Sequence, residues 1–200
     1  MIQFFRRLLN RIELMAFNMF VRKTFEFCGK NSLLYYPYRL EGQKNIIIGS
    51  NTSLQKGVWL SCYAVTPDKR ANLTIGSGCV IGYNNHIISA QSVIIEDYVL
   101  TANNVYISDN SHSYSDVSRP IMFQGINVRN SVVIGSGSWL GENVCVVGAS
   151  VGKNCVIGSN SVVTHDIPDF SVAVGAPAKV IKRFSQADGV WISVKEDSCA

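Results

Sequence analysis

The segment SDNSHSYSD, residues 108–116, places a histidine among polar residues in a chain that has only three histidines. An imidazole with an unperturbed pKa near ~6.5 can accept a proton at neutral pH, so His112 is a candidate general base. A histidine base is usually oriented by a hydrogen bond to its other ring nitrogen. Asp109 is the nearest carboxylate in sequence and is our choice for that partner, although it could instead serve backbone amides at a turn. Asp116 and Glu142 are the alternatives.

The other chemically active side chains carry weaker signals. His86 could line a binding pocket or be a structural histidine. The six cysteines include no CxxC pair, and Cys79, Cys145 and Cys155 lie within aliphatic runs. Buried thiols of this kind behave as small hydrophobic groups, so we expect free thiols rather than disulfides or a metal site.

Charge is concentrated at the N-terminus. Residues 1–27 contain five basic and two acidic residues, a balance of +3 within a total of +4, so the rest of the chain is nearly neutral. A nucleic-acid-binding surface is therefore disfavoured. Apolar residues recur at helical spacing in this segment, and its longest uncharged stretch, 14–21, is too short to span a membrane. We expect an amphipathic helix that packs on its own domain or a neighbouring subunit, or that lies at a membrane interface.

A repeat of six residues organises the middle of the chain. The pattern of Ile, Leu or Val, then Gly, any residue, and Asn or Gly occurs seven times, at 48, 75, 81, 134, 140, 151 and 157. An aliphatic residue at every sixth position predicts an all-β solenoid of about five triangular coils, because stacked coils bury one continuous core. The Gly and the following Asn or Gly suit corners, where we expect positive φ.

Two polar segments interrupt the repeat, at 63–72 and 110–127. Insertions in a solenoid form loops, and such loops often bind ligands. The chain is therefore divided into an N-terminal helical segment and lead-in at 1–40, a β-helix domain at 41–184 with these two loops, and a C-terminal tail at 185–200, whose structure the sequence does not assign.

The hexads and the closing run SVVTHDIPDFSVAVGAPAKVIKR, residues 161–183, resemble the left-handed parallel β-helix acetyltransferases over about residues 40–184. The chain looks most like the O-acetyltransferases of bacterial surface polysaccharides, of lipopolysaccharide or colanic-acid type, and is also similar to galactoside and maltose acetyltransferases. The resemblance implies a left-handed coil, a homotrimer with active sites between subunits, and acetyl-CoA as the acetyl donor. It also implies that His112 deprotonates a sugar hydroxyl.

The same resemblance implies further site residues. Positions that contact the cofactor in the family are matched by Trp139, Ser159, Thr164, Lys179 and Lys182. The two lysines correspond to positions that meet nucleotide phosphates. Substrate-binding positions are matched approximately by Asn84 and Asn85, with a register uncertain by one residue.

Other functions on the same fold were weighed against this one. A γ-type carbonic anhydrase needs three zinc-binding histidines, and the three present here lack its paired spacing. A non-catalytic β-helix scaffold would give no reason for a lone histidine in a polar loop. An acetyltransferase that inactivates antibiotics or other xenobiotics stays open. The basic N-terminal segment favours the polysaccharide function, in the cytoplasm with peripheral contact to the inner face of the membrane.

Overall fold

The structure, a computed structural model, describes residues 2–66 and 68–194. Helix α1 (Ile2–Val21) and a 3-10 turn at Arg22–Thr24 precede a stack of coils made of short parallel strands. Each coil contributes strands to three sheets, called sheets A, B and C in the order in which the chain visits them. The predicted fold class, a left-handed parallel β-helix, is confirmed.

The strands follow one another coil by coil. The first two coils contain β1 (Phe27–Cys28), β2 (Leu33–Leu34), β3 (Arg39–Glu41), β4 (Ile46–Ile48), β5 (Ser53–Leu54) and β6 (Trp59–Cys62), with a 3-10 turn at Gln43–Asn45. The next two contain β7 (Asn72–Ile75), β8 (Val80–Ile81), β9 (His86–Ser89), β10 (Ser92–Ile95), β11 (Leu100–Thr101) and β12 (Tyr106–Ser108).

An antiparallel hairpin of β13 (Asn110–His112) and β14 (Ile126–Val128) then interrupts the stack. The last coils and the C-terminal segment contain β15 (Val132–Ile134), β16 (Trp139–Leu140), β17 (Cys145–Val147), β18 (Val156–Ile157), β19 (Val162–Val163), β20 (Ser171–Val174), β21 (Lys179–Ser185) and β22 (Val190–Ser193). Strands β21 and β22 run antiparallel and extend sheet B, so part of the unassigned tail is a strand. Residues 195–200 of that tail lie outside the described residues.

Within the described residues the stack has six coils where about five were expected, and the sixth reaches sheet A only through the bridged residue Val151. Sheet B contains β2, β5, β8, β11, β16, β18 and β20, and sheet C contains β3, β6, β9, β12, β17 and β19. The extra coil is the first one, residues 27–41, which the sequence analysis placed in the lead-in. Its corner reads Cys28-Gly-Lys-Asn31, with cysteine at the position where the other hexads have an aliphatic residue. The β-helix therefore begins at Phe27.

Inward side chains lie in register from coil to coil and form the core. In sheet A, for example, Ile48 pairs with Ile75, Ile75 with Ile95, and Ile95 with Ile134, and all four are fully buried. Each buried aliphatic side chain of this size contributes roughly 1.5–3 kcal/mol. The core is therefore one continuous column, as the repeat predicted.

Positive φ was expected at both corner positions of a hexad, but only one of them takes it. The Asn or Gly two residues after the first glycine has positive φ, as at Asn51 (57°) and Gly78 (69°). The glycine that directly follows the aliphatic residue does not, and it is required for close approach instead. A Cβ on Gly49 would lie 2.5 Å from the backbone carbon of Gly76 in the next coil, and one on Gly135 would lie 2.5 Å from that of Gly152.

Helix α1 covers the open end of the first coil. The side-chain amide of Asn18 donates a hydrogen bond to the carbonyl of Leu34 (3.1 Å) and accepts one from its N–H (2.9 Å). These are the two backbone groups that a preceding strand would satisfy, so Asn18 replaces a ladder partner and protects the edge. Phe17 packs on Tyr36, with ring centroids 5.3 Å apart. Among the described helices, none is long and apolar enough to cross a membrane.

The described cysteines, 28, 62, 79, 145 and 155, are free thiols, and Cys199 lies outside the described residues. Burial, together with the nearby charges of Asp109 and Glu26, raises the pKa of Cys62 to about 12. Cys79 and Cys155 are fully buried in the core, where burial also raises the pKa of each thiol. Raised pKa values leave these thiols protonated and unreactive at neutral pH.

Both interruptions of the repeat fall on one edge of the stack. The first lies between β6 and β7 in the second coil, and the second, with the β13–β14 hairpin, lies between β12 and β15 after the fourth. In both places the chain passes from sheet C to sheet A, so we call this the C–A edge. The third coil crosses the same edge directly, through Ala90 and Gln91.

Candidate active site

His112 lies on the longer insertion, at the end of β13. In the hairpin, Asn110 pairs with Val128 and His112 pairs with Ile126. Because side chains alternate along a strand, His112 projects from the same face as Asn110 and Val128, while Ser111 projects from the other. His112 is exposed to solvent in the single chain. The histidine is therefore held by backbone pairing and remains accessible.

Asp109 does not orient His112, which corrects our expectation. Its side chain is fully buried and turns back toward the corner of the preceding coil. Its oxygens accept five hydrogen bonds of 2.7 to 3.2 Å, from Ser89 Oγ, the backbone N–H groups of Ala90, Gln91 and Ser92, and Asn110 Nδ2. The carboxylate thus joins the base of the hairpin to the third coil. This is the local turn role that the sequence analysis considered as the alternative.

The two alternative carboxylates also have other partners. Asp116 accepts hydrogen bonds from the N–H (2.9 Å) and the hydroxyl (2.6 Å) of Ser118, and these bonds lower its pKa. Glu142 accepts from the N–H of Asn103 and the amide of Asn104, at the edge between sheets B and C. Among the described side chains, no carboxylate is hydrogen bonded to His112.

The two insertions enclose a cleft on the C–A edge. The hairpin contributes Val128, the third coil supplies the floor, and the shorter insertion forms the opposite wall, with a volume of about 250 Å³. That opposite wall is formed by Val65, Thr66, Lys69 and Arg70. His112 is not among the residues that line the cleft, but it lies on the same face of the hairpin as Val128, which does.

An aromatic surface lies on the outer face of sheet C, at the first residue of each strand and so toward the corner between sheets B and C. Trp59, His86 and Tyr106 occupy equivalent positions in three successive coils. The rings of Trp59 and His86 stack with centroids 3.9 Å apart and planes at 14°, and Tyr106 meets His86 edge-on at 5.3 Å. We call these three residues the sheet C aromatic face. The sequence analysis considered only His86, although the 20-residue spacing between His86 and Tyr106 could have indicated the pairing.

His86 has an unusual environment within this face. Burial against the neighbouring rings lowers its pKa, and the charge of Glu41 acts in the opposite direction. Its Nε2 atom is buried and has no hydrogen-bond partner among the described residues. The neutral imidazole is therefore favoured.

Charged and polar groups border the aromatic face. Glu41 accepts hydrogen bonds from Trp59 Nε1 (3.2 Å) and Ser61 Oγ (2.9 Å) and pairs with Arg39 at 2.7 Å. Burial acts to raise the pKa of Glu41, but these bonds and the arginine charge lower it overall. Tyr63, at the start of the shorter insertion, has a raised pKa through burial and through nearby groups that include Tyr106, Asp109 and Glu41. Glu41, at the end of β3, and Tyr63, directly after β6, therefore lie between the aromatic face and the C–A edge.

The two predicted substrate-binding asparagines serve the corner between sheets B and C. Asn85 is buried, donates to the carbonyl of Ala102 (2.9 Å) and accepts from the N–H of Val105 (3.0 Å), so both polar atoms are used inside the coil. Its expected contact with substrate is therefore contradicted. Asn84 has a φ of 54°, is exposed, and donates to Asn104 at 3.4 Å. Asn84 is thus a corner residue that stays accessible.

The residues predicted to bind the cofactor occupy two parts of the chain. Trp139 is 47% exposed on the outer face of sheet B, Ser159 is exposed at the following corner, and Lys179 and Lys182 are exposed on β21, which extends sheet B. Thr164 instead follows β19 of sheet C, where its hydroxyl lies 3.0 Å from His165 Nδ1. The structure therefore groups four of the five residues near sheet B and separates Thr164 from them.

No group of three or more His, Cys, Asp or Glu side chains that could hold a metal ion is found in residues 2–66 and 68–194.

Comparison with known proteins places this geometry in context. A family model described as the hexapeptide repeat of succinyl-transferase matches residues 72–109 and 125–165. WbbJ of Escherichia coli (strain K12), named for O-acetyl transfer in lipopolysaccharide biosynthesis, is 31% identical over 166 residues, which cover 80% of this chain and 82% of WbbJ. The galactoside O-acetyltransferase of the same organism is 31% identical over 160 residues, covering 76% of this chain and 74% of that protein.

A protein of Mycobacterium tuberculosis (strain ATCC 25618 / H37Rv), named as a probable acetyltransferase, is 44% identical over 112 residues. The match covers 56% of this chain but only 37% of that longer protein. Among solved structures, AntD, an N-acyltransferase from Bacillus cereus in complex with dTDP and 3-hydroxybutyryl-CoA, has a TM-score of 0.70 at 17% identity, covering 86% of this chain and 89% of AntD. That likeness shows the shared fold.

Proposed function

Because the chain belongs to the hexapeptide-repeat acetyltransferase family, we propose that it transfers an acetyl group from acetyl-CoA to a hydroxyl of a sugar in surface-polysaccharide biosynthesis. The observation that carries this proposal is the placement of His112, which is accessible on a paired hairpin at the C–A edge, on the same face as Val128 of the cleft. The similarity to WbbJ over most of both chains supports the polysaccharide context.

His112 supplies the general base. One ring nitrogen accepts the proton of the sugar hydroxyl while the hydroxyl oxygen bonds to the thioester carbonyl carbon. The carbon–sulfur bond then breaks, and the proton passes from the imidazolium to the departing thiolate, so that charge and protons balance. A base of this kind is worth about 10²–10⁴-fold in rate. Since Asp109 is fully engaged elsewhere, the group that orients the imidazole comes from a neighbouring copy or from substrate.

The acceptor sugar lies between His112 and the sheet C aromatic face. Aromatic rings suit the apolar faces of a pyranose, and Tyr38 (74% exposed) and Tyr63 (40% exposed) widen the surface. The carboxylate of Glu41 can select hydroxyl groups by hydrogen bonding. We favour oxygen over nitrogen as the acceptor atom because the two Escherichia coli relatives that match most of this chain are both named as O-acetyltransferases.

The donor lies along a groove between neighbouring copies of the chain. The donor residues fit acetyl-CoA chemically, because exposed Lys179 and Lys182 can meet phosphates as point charges and the exposed Trp139 offers an apolar surface. Thr164, on another side of the coil, can reach the same molecule only if a second copy supplies it. This separation supports the homotrimer that the family resemblance implies. Acetyl-CoA as donor also favours a cytoplasmic location.

A transfer assay tests the proposal. The protein is incubated with acetyl-CoA and with free hexoses, nucleoside-diphosphate sugars and nucleoside-diphosphate amino sugars, and each product is analysed by mass spectrometry. Hydroxylamine treatment then distinguishes the products, because it cleaves an ester and leaves an amide intact. We expect an acetyl ester with at least one sugar. An amide would replace O-transfer by N-transfer, and the absence of any product or of coenzyme A binding would favour the scaffold function.

A further inference from the structure

Residues 9–21 of helix α1 present two apolar faces, and the described residues cover only one of them. Phe17, Asn18 and Val21 pack on the first coil. On the other side, a group of large apolar side chains projects into solvent: Leu9 (57% exposed), Ile12 (55%), Met15 (68%), Met19 (59%) and Phe20 (70%). These positions follow helical spacing and form one continuous stripe, which we call the outer face of α1.

The outer face is held in a fixed direction. The two hydrogen bonds between Asn18 and Leu34 attach the helix to the end of the stack. Arg22 adds hydrogen bonds to the carbonyls of Cys28 and Gly29, and Phe17 packs on Tyr36. The helix cannot bury its outer face in its own domain without losing these contacts. The outer face is therefore available to a partner on the side away from the coils.

We propose that the outer face of α1 binds an anionic lipid surface, with the helix lying in the plane of the membrane interface. Five basic and two acidic residues give residues 1–27 a charge of +3, while residues 28–200, with thirteen basic and twelve acidic residues, carry only +1. An apolar stripe combined with basic residues is the composition of an interfacial helix. Each Lys or Arg near a negatively charged leaflet adds attraction that salt screens.

Charge also distinguishes this partner from a second copy of the chain. Two copies joined through the outer face would bring two segments of +3 together, and like charges repel. A neutral apolar partner could bind the apolar stripe but would make no favourable electrostatic contact with the positive charge of residues 1–27. An anionic bilayer satisfies both properties of the segment, since it offers an apolar interior beside negative headgroups.

This contact would orient the coil stack on the membrane. Helix α1, about 10 Å across, lies between the lipid and the first coil, and the hairpin with His112 is three coils further along, so it stands roughly 24 Å from the lipid at ~4.8 Å per coil. That distance suits a sugar attached to a lipid carrier. Its use for acetyl transfer rests on the proposed function, whereas lipid binding does not.

Vesicle co-sedimentation of the full chain tests the inference. The probes are vesicles of phosphatidylglycerol and phosphatidylcholine in equal parts and vesicles of phosphatidylcholine alone. The test variant is Met15→Gln/Met19→Gln, which keeps a similar shape and helix propensity but removes apolar area. The matched control is Val190→Thr/Ile192→Thr, which changes two side chains of 52% and 50% exposure on β22 and keeps strand propensity.

We expect the wild type and the β22 control to bind anionic vesicles at least about tenfold more tightly than neutral ones, with binding lost in ~1 M salt, where the Debye length is about 3 Å. The Met15/Met19 variant should bind at least about tenfold more weakly. Equal binding by this variant, equal binding to neutral vesicles, or no binding by the wild type would overturn the inference. So would a smaller molar mass of the variant in light scattering, which would identify the face as a subunit contact. Should the variant fail to fold, the lipid and salt dependence of the wild type still decides.

Discussion

Inside the coil stack, each aliphatic side chain occupies the same position as an aliphatic side chain in the coil before it. Along the C–A edge, two insertions interrupt the coils and follow no repeat. Ile48, Ile75 and Ile95 are interchangeable members of one column, and each is fully buried. His112 and Asp109 have no counterparts in other coils, and they differ from each other as well, since one is exposed and the other fully buried.

The difference shows how the fold separates stability from chemistry. The column is stabilised by burial that every coil contributes, so no single corner decides the fold. The C–A edge depends instead on particular hydrogen bonds, above all those of Asp109 to the third coil. A change at the edge can therefore alter activity alone, alter stability alone, or alter both, and substitutions can tell these cases apart.

The largest effect is expected from removing the proposed base. His112→Ala should lower the turnover number by about 10²–10⁴-fold, because the acceptor hydroxyl then loses its proton only to water. The melting temperature should not change, since the side chain is exposed and makes no contact that the core needs. Steady-state kinetics with acetyl-CoA and an identified acceptor, together with thermal unfolding, measure both quantities.

The control for this variant is Val117→Ala in the same insertion, where the side chain is 100% exposed. It should keep wild-type turnover and stability. If His112→Ala retained turnover within threefold of wild type, the mechanism would be wrong, whatever its effect on the melting temperature.

Asp109 should show the opposite pattern. Asp109→Ala leaves three backbone N–H groups without their acceptor inside the protein, which should lower the free energy of unfolding by about 3 kcal/mol or more. Asp97→Ala is the matched control, because its exposed carboxylate accepts one backbone hydrogen bond, from Ser77, and its loss should cost about 1 kcal/mol or less. Denaturant unfolding measures both. A variant at Asp109 as stable as the control but as inactive as His112→Ala would restore its role in orienting the histidine.

The sequence predicted the column well and the edge only in part, for a physical reason. Each hexad places one aliphatic residue in the core, and this pattern repeats within a few residues. The solenoid could therefore be predicted from the local sequence. The first coil was missed only because Cys28 stands where the pattern required Ile, Leu or Val. Asp109 and Asn85 have partners 17 to 20 residues away, one coil distant, and the sequence near each residue does not say which groups there lack a partner.

A smaller effect is expected at the far side of the molecule. Lys179→Ala/Lys182→Ala should weaken coenzyme A binding about tenfold, because exposed charge pairs contribute up to about 1 kcal/mol each. Lys30→Ala/Lys44→Ala, which removes two other exposed ammonium groups, is the matched control and should leave binding unchanged. Titration calorimetry measures both. Equal affinity of the two double variants for coenzyme A would show that its phosphates do not bind at Lys179 and Lys182.

The smallest effect concerns the sheet C aromatic face, which belongs to regular coils and lies across sheet C from the C–A edge. Burial lowers the pKa of His86 in the folded protein, so below the ordinary value near ~6.5 the unfolded chain binds more protons than the folded one. Stability should therefore fall as pH decreases through this value, and the loss should end below the folded pKa. His86→Phe keeps a ring beside Trp59 and Tyr106 but cannot titrate. Between pH 7.5 and 5.5 the wild type should lose about 1–2 °C more in melting temperature than this variant. Equal losses would mean that the His86 ring is as well solvated in the folded protein as in the unfolded chain. The aromatic face would then be a fully hydrated surface rather than a partly desolvated binding surface for a sugar.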